Sequence, residues 1–131
     1  MIRKLLVISF LWAVLILIIS GLPGDSIPQS RLWSIPQFDK IVHMALYFPL
    51  GLVLAAEFSL SRIIWLNKYA ILLTISIIAF YGGLIEILQD YLFINRSADW
   101  WDFFSDIFGG ALGMLFFTHF LRKRFFSKNK R

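Results

Sequence analysis

The chain has 131 residues, a formal net charge of +5, 59% hydrophobic residues and only 16% charged ones. That length holds one domain, and with a mean hydropathy of +0.74 it excludes both a disordered segment and a water-soluble domain, which at this size could not bury so much apolar surface. Cysteine is absent, which excludes disulfide frameworks, thiol catalysis and cysteine metal sites, and leaves an integral membrane protein whose surplus of cations reports topology rather than a nucleic-acid partner.

The first expected span covers residues 4–21, built on an uncharged run over 5–20 that is flanked by Arg3-Lys4 and by Gly21, Pro23 and Gly24. It also has the outline of a signal peptide, but no A-x-A site follows it, so retention is expected. The second span covers 40–57 and contains Pro49, one turn after Tyr47, where a kink is expected. The third covers 69–89, with Glu86 near its far end, and the fourth covers 102–121. Runs of this kind give helices roughly 24–30 Å long, enough for a bilayer core. Alternation with a period of two is absent, which argues against a barrel. The expected architecture is therefore all-α: an integral membrane four-helix bundle forming a single domain over 1–131. The connections at 21–38, 59–68 and 90–101 are too short to fold as separate domains.

Charge sets the expected direction. With both termini cytoplasmic, ten of the thirteen Lys and Arg residues lie inside, and only Arg31, Lys40 and Arg96 lie outside. The acids reverse this: Glu57 is inside and the other seven, Asp25, Asp39, Glu86, Asp90, Asp99, Asp102 and Asp106, are outside. The expected topology is N-in, C-in. The basic tail reads as an anchor at an anionic leaflet. Trp33, Trp100 and Trp101 suit an outer aromatic belt and Trp65 an inner one. His119, near the inner end of the fourth span, reads as interfacial.

The ionisable residues that touch the spans gather at their outer ends. Asp39, His43 and Tyr47 step by four and share a face, as do Glu86, Gln89 and Asp90. Asp99, Asp102, Asp106, Gly109 and Gly113 fall in one stripe of the fourth span. A charge in hydrocarbon costs several kcal/mol, so these groups must face protein or water. Three acids at 99, 102 and 106 repel one another unless a proton, a cation or water intervenes, which makes Asp99, Asp102 and Asp106 candidate ligands for a divalent cation through oxygen. No cofactor is required by the sequence. The expected object is an outward polar pocket with acids Asp39, Glu86, Asp99, Asp102 and Asp106 and bases Lys40, His43 and Arg96.

Each residue has a plainer reading beside the functional one. His43 suits a general base or metal ligand, and equally a helix-start histidine bonded to Asp39 or a facing acid. Glu86 is a candidate base, or a partner of Gln89, Tyr47 or a neighbouring backbone group. Asp102 can serve the helix dipole. Arg96 suits a phosphate or carboxylate clamp, or an internal ion pair with Asp99 or Glu86. Gly109-x-x-x-Gly113 is a small-residue packing motif.

Taken in order, Asp39-Lys40-x-x-His43-x-x-x-Tyr47, Glu86-x-x-Gln89, Arg96-x-x-Asp99-x-x-Asp102 and Asp106-x-x-Gly109-x-x-x-Gly113 resemble the VanZ-like membrane proteins, whose namesake is associated with bacterial teicoplanin resistance. The resemblance spans residues 39–113. Position 106 is commonly Asn in that family and is Asp here, which adds a negative charge. The resemblance implies a bacterial envelope protein of the cytoplasmic membrane. The leading expectation is a pocket that binds a polar lipid headgroup or a cell-wall precursor, with the lipid bilayer as surroundings, no nucleic acid, and oligomerisation open. The rival is a membrane-embedded enzyme acting on a lipid-linked phosphate, with Glu86 or His43 as base. An ion-coupled transporter ranks below both, since four spans lack an inverted repeat and the inner halves offer few polar groups. The signatures H-E-x-x-H and G-x-S-x-G are absent.

Overall fold

A computed structural model of the chain describes residues 2–23 and 36–124. Asp25, Pro28, Arg31 and Trp33 of the first connection, and the tail cations Lys128, Lys130 and Arg131, lie outside the described residues. The described chain is helical and shows no strand. Its helices are α1 (Ile2–Ser20), α2 (Phe38–Ser59), α3 (Ile64–Lys68), α4 (Ala70–Tyr91) and α5 (Trp100–Phe116). A π-helical turn, Phe117–Leu121, extends α5, so the fourth long helix reaches Arg124. Four helices of 19, 22, 22 and 25 residues are long and apolar enough to cross a membrane.

Large apolar side chains such as Phe10, Phe80 and Phe120 are exposed along these helices. Lipid tails are as apolar as leucine, so such surface does not drive helices together; close backbone packing and interhelical hydrogen bonds do. Both occur here. Gly51 of α2 faces Gly110 of α5, Gly109 lies against the backbone of Met44, and Gly113 against that of Phe48. A Cβ at Gly113 would stand 1.9 Å from the Phe48 carbonyl oxygen. Residues 44 and 48 of α2 thus meet 109 and 113 of α5 in ascending order, so the two helices run parallel in backbone contact.

Helix α1 is the most peripheral of the four. It buries Ser9, Ile16 and Ser20 on one stripe and is held by polar links to its neighbours. Trp12 Nε1 donates to the Leu46 carbonyl at 2.7 Å, Tyr81 Oη to the Ala13 carbonyl at 2.6 Å, and Ser9 Oγ to the buried carboxylate of Glu57 at 3.1 Å. Ile16, Tyr47, Leu50, Leu54 and Ile78 form the central apolar cluster. Ala55, Ala56, Met114 and Phe117 form a second one toward the far end of α2.

Residues 59–68, expected as a plain loop, contain the short helix α3. Its Ile64 and Trp65 are exposed, Trp65 packs on Tyr69, and Lys68 lies over the Tyr69 ring. An aromatic and apolar turn with a terminal cation suits a membrane interface, and a run this short gives no periodic signal. His119 is exposed within the π-helical turn, bonded back to the Leu115 carbonyl.

Candidate functional site

The polar residues collect where α2 and α5 begin and α4 ends. Gln37 starts α2 in a left-handed conformation, φ 62°, which turns the chain so that Asp39 and Lys40 stand in the first turn. Asp99 starts α5 as an N-cap, its side chain accepting from Trp101 N, and Asp102 follows three residues later, where negative charge suits the helix dipole. The glycine contacts below then bring the two helix starts within side-chain reach.

The outer layer is built on one ammonium group. Lys40 Nζ bonds Asp39 Oδ2 at 2.7 Å, Asp99 Oδ2 at 2.8 Å and Asp102 Oδ1 at 2.8 Å. Its side chain is 14% exposed, against 44% for Asp39 and 41% for Asp99. An ammonium has three protons, and all three are used here. Hydrogen bonds from Lys40 and from the Trp101 amide hold the Asp99 carboxyl below its ordinary value of 3.8. Asp99 also joins three helices: Oδ2 reaches Lys40 of α2, Oδ1 caps α5, and its backbone N–H donates to Glu86 Oε2 of α4 at 2.8 Å.

A deeper layer lies beneath. His43 Nδ1 is 2.9 Å from Asp106 Oδ1, and Nε2 is 3.7 Å from Asp102 Oδ2. Tyr47 and Asp106 are wholly buried, and Glu86 nearly so. Asp106 fits because Gly82 of α4 presents no side chain there; a Cβ would come within 3.0 Å of Asp106 Oδ2. The Tyr47 hydroxyl lies beside the Asp106 carboxylate, short of a well-formed hydrogen bond.

Of the residues picked from the sequence, Asp39, Lys40, Asp99 and Asp102 stand in the outer layer and His43, Tyr47, Glu86 and Asp106 in the deeper one. The acids 99, 102 and 106 do not point at one spot: two reach Lys40 and the third reaches His43. Gln89 is turned away, its amide donating to the Ser20 carbonyl at the end of α1 at 3.3 Å. Arg96 Nε donates to the Leu22 carbonyl at 3.2 Å, which ties the α4–α5 connection to the end of α1 rather than to Asp99 or Glu86. Gly109 and Gly113 lie in the α2–α5 seam. Gly51, not singled out from sequence, completes that seam; its position four residues after Tyr47 is the signal that was available.

Beside the polar cluster, a cavity of about 240 Å³ opens between the end of α4 and the start of α5. Gly83, Ile87, Tyr91, Trp100 and Phe103 form its apolar walls, and Glu86 and Asp99 border it. An acidic, hydrogen-bonded cluster thus adjoins a slot that suits a hydrocarbon chain. In comparisons with known proteins, the family model described as VanZ/LLP1 matches residues 5–122, a span that includes nearly all of the four long helices. No curated protein and no solved structure matches the chain.

Proposed function

The chain belongs to the VanZ/LLP1 family, and from that premise we propose that its polar end is a binding site for the head of a membrane ligand at the outer leaflet. The ligand class is a polar lipid headgroup or a lipid-linked cell-wall precursor. The protein would sit in the bacterial cytoplasmic membrane with both termini inside, and it would act on glycopeptide susceptibility through access to such a ligand.

One observation carries this reading: the apolar slot between α4 and α5 is continuous with the acidic cluster at Glu86 and Asp99. A ligand with a hydrocarbon chain and a polar head has that same division of chemistry. The cluster contains five acids, Asp39, Glu86, Asp99, Asp102 and Asp106, against two bases, Lys40 and His43. That balance favours a head that carries an amine and disfavours a bare phosphate.

Native mass spectrometry of the purified protein with defined lipids tests it. Phosphatidylethanolamine should bind in preference to phosphatidylglycerol and undecaprenyl phosphate. Asp102→Asn should weaken that preference. Equal binding of all three lipids, or a preference untouched by Asp102→Asn, would overturn it. Reporter fusions to both termini test the direction, and both should report the cytoplasm.

A second reading, an enzyme acting on a lipid-linked phosphate, draws support from the deeper layer. His43 is oriented by Asp106 with Glu86 nearby, which is how a general base is held. Turnover of undecaprenyl pyrophosphate by wild type, lost in His43→Ala, would favour this reading over simple binding.

A further inference from the structure

Three buried oxygens in the deeper layer have no hydrogen-bond partner among the described residues: Tyr47 Oη, Glu86 Oε1 and Asp106 Oδ2. Tyr47 and Asp106 are 0% exposed and Glu86 is 6% exposed. Buried polar atoms are almost always satisfied, and an unpaired carboxylate oxygen away from water is costly. The nearest ammonium cannot help, because Lys40 spends its three protons on Asp39, Asp99 and Asp102.

The positions of the donors say what would satisfy them. One nitrogen of His43 and one oxygen each of Glu86 and Asp106 lie within 4.8 Å of one another. They come from three different helices, so their convergence is a property of the fold and not of one helix face. Ligands on a tetrahedral ion with bonds of about 2.0–2.1 Å stand roughly 3.4 Å apart, so modest side-chain closure suffices. From this geometry we infer that His43, Glu86 and Asp106 form a divalent metal site of the zinc type, with the Tyr47 hydroxyl beside it.

Charge decides between a metal and a water. A water can donate two hydrogen bonds, and His43 faces Asp106 alone, which leaves the Glu86 carboxylate without a counter-charge in a medium of low dielectric. A dication offsets both carboxylates at once. The donor set of one imidazole and two carboxylates suits zinc or manganese better than calcium, which takes six to eight oxygens, or magnesium, which keeps most of its waters. On the α4 side Asp106 Oδ2 packs against Gly82, where a Cβ would come within 3.0 Å of it. The site lies beneath Lys40 and does not depend on the lipid reading; lipid preference and metal content are measured separately and each can fail alone.

The test uses the full-length protein purified in detergent, stripped with chelator, and titrated calorimetrically with Zn²⁺ alone and with Mn²⁺ alone. Elemental analysis of the untreated protein runs in parallel. Wild type should take up one equivalent of Zn²⁺ per chain, and Glu86→Gln and Asp106→Asn should bind at least about tenfold more weakly. Glu57→Gln, which removes a buried carboxylate at the opposite end of α2, should bind as wild type does. Helical circular dichroism checks that the variants fold. Should Asp106→Asn not fold, the rise in thermal midpoint that Zn²⁺ gives wild type should be missing from Glu86→Gln. No stoichiometric uptake by wild type, or equal uptake by Glu86→Gln, would overturn the assignment.

Discussion

Replacing Gly113 by alanine adds one methyl group, far along α5 from the polar cluster, and should nevertheless dismantle that cluster. The added carbon would stand 1.9 Å from the Phe48 carbonyl oxygen, where ordinary contact begins near 3.4 Å, so α2 and α5 must part by about 1.5 Å. The Lys40–Asp102 and His43–Asp106 bonds, at 2.8 and 2.9 Å, would then exceed hydrogen-bonding range. Overpacking of this kind costs about 1–3 kcal/mol, and alanine's better helix propensity returns at most about 1 kcal/mol. Gly83→Ala supplies the matched control. It makes the same chemical change in a neighbouring span, but its Cβ meets only Phe103, at an ordinary 3.5 Å, so it should be neutral or stabilising. The assay is unfolding in mild detergent titrated with SDS, followed by helical circular dichroism. The expected order of stability is Gly83→Ala above wild type or equal to it, then Gly109→Ala, then Gly113→Ala, with about 2 kcal/mol or more between the extremes. A Gly113→Ala protein as stable as Gly83→Ala would refute the claim that backbone contact sets the α2–α5 distance.

Lys40→Met leaves three aspartates without their shared ammonium and should cost about 3 kcal/mol in the same unfolding assay; adding Asp102→Asn should recover part of the loss. Asp99 has a depressed pKa, so its stabilisation is fully present above the ordinary carboxylate range and is lost as pH falls through the lowered folded value. The stability gap between wild type and Asp99→Asn should therefore be largest near pH 7 and close only below about pH 3.8, as acid titration of the unfolding midpoint would show. Gln89→Leu removes the side-chain donor to the Ser20 carbonyl and should cost about 1 kcal/mol. Its hydrogen-exchange signature should be confined to the end of α1.

The spans were legible because uncharged runs long enough for a bilayer leave few alternatives to helix. The faces were legible too, since a step of four on one helix places Asp39, His43 and Tyr47 together whatever the helix packs against. Pairing across helices was not legible. Arg96 was a candidate partner for Asp99 and Glu86, yet Lys40 meets Asp99 instead, and the outcome depended on the rotation of α2 against α5, which Gly51, Gly109 and Gly113 set through backbone contact. The split of Asp99, Asp102 and Asp106 between Lys40 and His43 follows from that same rotation. Gln89 turned toward α1 because the last carbonyls of a helix need donors, a demand made by another element and absent from its own sequence neighbourhood.

The parallel pairing of α2 with α5 also bears on biosynthesis. Lys40 and His43 enter the bilayer early, while Asp102 and Asp106, which pair with them, are carried by α5 and are made after α4. Until that helix inserts, His43 lacks Asp106, Lys40 has only Asp39 of its three partners, and the flank of α2 around Gly51 stays uncovered. Translation halted after α4 should therefore yield a product that membrane quality-control proteases clear, and the late arrival of α5 is the step that completes the polar cluster.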